Sequence, residues 1–197
     1  MRASGRDGPD VVEKRETRQD SQVQTDPLKS VFLEESGVHI NMSRRYARAR
    51  QGNRANDAIP LNKGQPITIL SSVRADATTV PLIFPGAVNR DKLKEYLKDF
   101  LVPSLHPGDI AVLDNLPCHK VGGVAELIHS AGAGILYLPP YSPDFNPIEQ
   151  MWSRIKAYSR MIKARTVDAL LAAIPDAFAT VGVNDILGWF ECAGYCR

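Results

Sequence analysis

The sequence predicts a mixed α/β domain whose antiparallel hairpins come early and whose parallel crossovers come late. Three observations carry that prediction. Short apolar runs follow one another at VFLEE, GVHINM, ITILSSVR and TTVPLIF. The segment NRDKLKEYLKDFL then repeats its apolar residues at helical spacing. Beyond it, strand-like and helix-like segments alternate.

Residues 1–30 hold no aromatic side chain, and their six basic residues are balanced by six acidic ones. With so little to bury, this segment is expected to be a polar tail or linker, poorly ordered or at most a loose helix, and the folded domain to occupy 31–197. The four apolar runs are expected as strands. In the helical segment Leu93, Tyr96, Leu97, Phe100 and Leu101 fall at i, i+3, i+4, i+7 and i+8, which turns one face to a core. Pro103, Pro107 and Gly108 end it. IAVLDN shows no polar alternation, as expected of a central strand covered on both faces. A helix from about Val121 to Ala131, the strand GILYLP, the loop LPPYSPDFNP and helices over 147–163 and 167–180 complete the order.

A length of 197 residues and 44% hydrophobic content suit one domain with its own core, plus the tail. The net charge of +2 is too mild to identify a partner, so the placement of charge matters more than its total. Three cysteines show neither a disulfide framework nor a tetrahedral ligand set and read as reduced thiols. No run approaches the roughly 18 apolar residues of a membrane span. The N-terminus lacks the apolar stretch of a signal peptide. A soluble cytoplasmic protein without a membrane partner is expected.

Two carboxylates stand out. Asp114 closes IAVLD, Glu149 lies inside LPPYSPDFNPIEQMWSRIK, and 34 residues separate them. A strand's C-terminal end is where open α/β sheets place ligands. Carboxylate oxygens suit hard magnesium ions, and a pair of ions can clamp the attacking and leaving oxygens of a phosphodiester. The pair therefore reads as part of a nuclease-type site. Each acid has a plainer explanation. Asp is a common turn former, and Asn146, Pro147, Ile148, Glu149 spells an N-cap, a first-position proline and a capping-box glutamate.

The helix after Glu149 carries an apolar stripe of Ile148, Met151, Trp152, Ile155 and Ile162, with Glu149, Lys156, Arg160 and Lys163 on another face. An acid followed by cations suggests a metal ligand beside a phosphate track, against the alternative of a solvated face. SRRYARARQGNR sets Arg44, Arg45, Arg48, Arg50 and Arg54 around Tyr46 with no acid. Arginine's fork bonds two phosphate oxygens at once, so a nucleic-acid contact is favoured over a solvated loop. His119 follows Asp114 by five residues, beside Lys120, and could bend over the same site; a structural histidine is the alternative. His39, His106 and His129 have no partner spacing, and no zinc motif occurs. A third acid is expected in VFLEESG, where strand alternation sends Glu34 and Glu35 to opposite faces; the residues alone do not choose between them.

From Val31 to Tyr195 these motifs resemble the DDE transposases of the mariner superfamily, specifically their bacterial insertion-sequence branch. LPPYSPDFNPIEQMWSRIK, LDNLPCHK ahead of it, the 34-residue gap, and FLxESG before a basic YxRAxxG stretch carry the resemblance. It implies an RNase H-like mixed sheet flanked by helices, and two magnesium ions for which manganese can substitute. It also implies hydrolysis followed by strand transfer at the ends of a mobile element. Glu34, Asp114 and Glu149 become the first, second and third catalytic, metal-holding acids. Arg44, Arg45, Arg48, Arg50, His119, Lys120, Lys156 and Arg160 become the expected DNA contacts.

The chain departs from the pattern in three places. Glu34 stands where the family usually has Asp, and one extra methylene would displace an ion that demands near-ideal octahedral geometry. A catalytically impaired DNA-binding remnant, or a nuclease without strand transfer, is therefore the alternative. Ala47 and Arg50 stand where the family commonly has Gly and Pro. The 30 polar residues at the start cannot hold the family's helix-turn-helix modules. The expectation is thus half of a split element, with a separately encoded helix-turn-helix subunit, or a truncated copy. A homodimer on DNA, in the cytoplasm of a bacterium and associated with its nucleoid, completes what the resemblance implies.

Overall fold

The computed structural model describes residues 4–44, 46–115 and 122–195. Arg45, His119 and Lys120 lie outside the described residues.

Helix α1 (Pro9–Gln22) precedes the sheet. Apolar content predicts a tail or loose helix there, yet Val11, Arg18 and Gln22 are buried. Arg18 donates to the Tyr195 hydroxyl at 2.8 Å, and the Gln22 amide donates to the Ala193 carbonyl. Long polar side chains that bury their stems dock this helix, a mode that apolar patterning does not register.

Strand β1 (Ser30–Val38) is one strand where VFLEE and GVHINM predict two, and 39–66 form a long irregular connection. Antiparallel pairing with β2 (Ile67–Arg74) runs unbroken from Val31↔Arg74 to Val38↔Ile67, which keeps the strand intact through Ser36 and Gly37. β3 (Leu82–Pro85) pairs antiparallel with β2. Helix α2 (Arg90–Tyr96), capped by Asn89, continues through a π turn at Leu97–Leu101 and a 3-10 turn at Val102–Ser104.

β4 (Ile110–Leu113) joins β1 in parallel, and β5 (Gly134–Tyr137) joins β4 in parallel, with α3 (Val124–Ser130) between them. The order is β3-β2-β1-β4-β5, so hairpin pairing early and crossovers late are both observed. Helices α4 (Ile148–Ile162), α5 (Val167–Ala179) and α6 (Val183–Cys192) end the chain. α6 is not foreseen in the sequence, because only Ile186 and Phe190 bury and Gly188 weakens the helical signal.

Alternation along the strands divides the core in two. Phe32, Val38, Ile69 and Val112 meet Ile148, Met151, Trp152 and Ile155 of α4, with α5 and α6 behind. Val31, Leu33, Leu70, Ala111 and Leu113 meet Leu93, Tyr96, Leu97 and Leu101 on the opposite face. Among the described residues no single helix is long and apolar enough to cross a membrane.

Candidate active site

Register brings two of the acids together. The parallel pairing of β1 and β4 ends at Leu33↔Leu113, so Glu34 and Asp114 are the next residue of each chain segment. Phe32 and Val112, two positions earlier, face α4, and period-two alternation sends Glu34 and Asp114 to that side. Alternation alone does not choose between Glu34 and Glu35; the register puts Glu34, the acid that the resemblance implies, beside Asp114, and Glu35 takes the other face.

Glu149 arrives from the first turn of α4. Its capping role is corrected: Pro147 occupies the cap position, with no side-chain capping bond. Buried Asn146 instead directs its amide Nδ2 to Glu34 Oε2 at 2.9 Å, and the Glu149 amide donates to the Asn146 carbonyl at 3.2 Å. The Glu149 carboxyl is hydrogen-bonded to Glu34 rather than folded back on the helix. The NP dipeptide hid Asn146, because the same residues spell a helix start.

Glu34, Asp114 and Glu149 line one cavity of about 440 Å³, with Asn115, Asn146 and the wall from Leu138 to Pro143. Burial, then the negative charges of Glu149, Asp114 and Glu35, push the Glu34 carboxyl up to about 9. Those like charges favour the protonated form, and the bond to Glu149 fits a proton held between two carboxyls.

Among the described residues no three His, Cys, Asp or Glu side chains lie close enough to hold one ion as they stand. The donor chemistry nevertheless fits magnesium or manganese. Every polar group that lines the cavity offers hard oxygen, no Lys or Arg among the described residues lines it, and Asn146 Oδ1 and Asn115 Oδ1 are buried without a hydrogen-bond partner. A divalent cation would relieve both the like-charge crowding and the unsatisfied amide oxygens.

A second groove, about 750 Å³, joins part of the two basic segments. Arg44 and Tyr46 from the 39–66 connection face Arg154, Tyr158 and Arg160 of α4 across it. Arg48 and Arg50 are exposed on the same connection, but neither they nor Lys156 line the groove or the carboxylate cavity. Lys163 is paired with Asp57 at 2.8 Å. Arg154 was missed in the sequence; its signal was the spacing to Tyr158 and Met161, four and seven residues on, one face of the helix. Arg165 fastens the connection by donating to the carbonyls of Ile40, Met42 and Ala58 at 3.1, 3.0 and 3.2 Å.

Known proteins share this fold. Residues 29–171 match the family model described as DDE superfamily endonuclease. The Transposable element Tcb1 transposase of Caenorhabditis briggsae is 27% identical over 94 residues, 48% of this chain and 34% of that protein. The Mos1 mariner paired-end complex with Mn superposes with a TM-score of 0.71 at 17% identity, covering 92% of this chain and 57% of that one. The Mos1 paired-end complex with left transposon end gives 0.70 at 16%, covering 94% and 62%. The Mos1 transposase catalytic domain with Raltegravir and Mg gives 0.66 at 14%, covering 94% of each chain. The chain thus spans about a third of the curated relative and matches the catalytic domain of Mos1 nearly end to end. The sheet and its flanking helices are the RNase H-like fold of that domain, and with residues 29–171 carrying the family pattern the chain belongs to the DDE superfamily endonucleases.

Proposed function

We propose that this chain is the catalytic domain of an insertion-sequence transposase of the bacterial branch, which cuts DNA at element ends and transfers the freed strand to a target. The observation that carries this reading is the meeting of Glu34, Asp114 and Glu149, from β1, β4 and α4, in one oxygen-lined cavity. When bound, two magnesium or manganese ions supply Lewis-acid stabilisation of the attacking and leaving oxygens in an in-line displacement.

Glu34, Asp114 and Glu149 would hold those ions, with Asn146 Oδ1 and Asn115 Oδ1 as further oxygens. Glu34 would hold a cation only as the ionised carboxylate, so its proton would pass to solvent as the ion binds. Asn146 Nδ2 fixes the Glu34 carboxylate from one side, which accommodates the longer glutamate in place of aspartate. Water attacks first and the freed 3′ hydroxyl second, so no covalent protein intermediate forms. Arg44 and Arg160 hold phosphates, and Tyr46 and Tyr158 offer stacking faces beside them.

Recognition of element ends is proposed to fall to a separately encoded helix-turn-helix subunit. The active form is proposed to be a homodimer on DNA, in the bacterial cytoplasm at the nucleoid. The test is nicking of element-end DNA with magnesium or manganese by the wild type and by Asp114→Asn. Metal-dependent nicks that the variant abolishes support the reading. Equal inertness with retained DNA binding would leave a DNA-binding remnant instead.

A further inference from the structure

Helix α1 meets the rest of the chain at the loop that leads into the acid cluster. The Arg15 side chain is only 11% exposed and donates to four oxygens of that loop. Nη1 reaches the Tyr141 carbonyl at 3.1 Å, Ser142 Oγ at 2.6 Å and Asp144 Oδ1 at 3.1 Å, and Nη2 reaches Asp144 Oδ2 at 2.6 Å. The same guanidinium lies 4.5 Å over the Phe145 ring. Arg6 adds a bond to Asp144 Oδ2 at 2.9 Å. Arg18 donates to the Tyr195 hydroxyl at 2.8 Å, which in turn donates to the Phe145 carbonyl at 3.0 Å.

The loop needs such restraint. Tyr141 has φ 56°, a left-handed backbone that a non-glycine residue holds only when its surroundings over-determine it. Its carbonyl is one of the oxygens Arg15 binds. One residue beyond Phe145, Asn146 bonds Glu34, and its carbonyl receives the Glu149 amide. The path from Arg15 to two of the three acids is therefore a short chain of hydrogen bonds and one peptide segment.

We propose that α1 is a strap over the site loop and that Arg15 is a positioning residue, holding Tyr141–Phe145 so that Asn146 and Glu149 reach Glu34. The catalytic consequence rests on the proposed function above, whereas the positioning does not. The two are separable by experiment.

Arg15→Met keeps the stem and removes the donors; Arg15→Lys keeps the charge and loses the fork; Asp144→Asn serves if the first variant folds poorly. In the cation-free full chain, hydrogen exchange of the Asn146 and Glu149 amides should quicken about tenfold in Arg15→Met, while β1 and β2 amides keep their rates. Arg15→Lys should fall between. The Mn²⁺ concentration that half-saturates the protein, read by electron paramagnetic resonance, should rise about fivefold to tenfold, on the scale of disturbed outer-shell partners. Unchanged exchange at 145–150, or a uniform loss of protection across the sheet, overturns the strap. If the wild type neither binds Mn²⁺ nor nicks DNA, the proposed function fails, and the exchange rates still decide the strap.

Discussion

Glu34 and Asp114 are neighbours because β1 and β4 are parallel and in register, each acid following the last paired residue of its strand. Asp114→Asn should lower metal-dependent nicking by about 10³-fold, several kcal/mol of transition-state stabilisation. The Tm of the cation-free protein should change little, since asparagine keeps the size and a hydrogen-bonding oxygen of the aspartate while one of the charges crowding Glu34 is removed. Nicking with magnesium, paired with thermal melts in a chelator, checks both. A fall in Tm of several degrees would mean that Asp114 has a structural role instead.

Glu34→Asp restores the residue usual in the family, yet the structure predicts a loss. Shortening the side chain withdraws Oε2 from Asn146 Nδ2 and the carboxyl from Glu149. Nicking should drop about tenfold, on the scale of a misplaced catalytic group. A gain in rate would show that the longer acid impairs the wild type.

Arg44 and Arg160 face each other across one groove, so their replacement by alanine should act on DNA affinity without regard to sequence. Each removal should flatten the dependence of log affinity on log salt by about one phosphate contact. Arg50→Ala, which lies outside the groove, should do less. Fluorescence titrations at several salt concentrations make the comparison.

Arg165 ties three carbonyls of the 39–66 connection to the helical layer. Arg165→Met should cost about 1–3 kcal/mol of stability, the scale of hydrogen bonds to a charged group. It should also open the connection to limited proteolysis and weaken DNA binding through displaced Arg44. Unaltered proteolysis of the connection would contradict the tether.

Asp109 forms a buried ion pair with Arg74, and the same oxygen accepts the His106 amide at 2.6 Å. Burial raises the Asp109 carboxyl, but the Arg74 bond, the His106 amide and the Arg74 charge together hold it below its ordinary 3.8. The stability from this lowered value is fully present above pH 3.8 and is lost as pH falls through the folded value. Asp109→Asn should cost about 3 kcal/mol near neutrality, because Arg74 is left buried without its counter-charge. The difference from wild type should shrink below pH 3.8, as followed by denaturant titrations across pH.

Much of the fold was legible because burial imposes period. Leu93, Tyr96, Leu97 and Leu101 are fully buried where helical spacing placed them, and the uninterrupted IAVL run is an interior strand covered on both faces. The misses share a cause. α1 docks through arginine and glutamine stems, and α6 buries only two large side chains, so neither carries a strong apolar period.

Residue type and local spacing by themselves determined the mixed α/β class of the domain, the family motifs and which acids and arginines are candidates for the chemistry. Only the tertiary structure decided that Glu34 and not Glu35 faces Asp114, that Glu149 bonds Glu34 and does not cap α4, and that Arg154 joins Arg44 and Arg160 in one groove. The reason is that strand register and helix docking bring together side chains far apart in the chain, 115 positions for Glu34 and Glu149, and no local pattern in the chain encodes such distances.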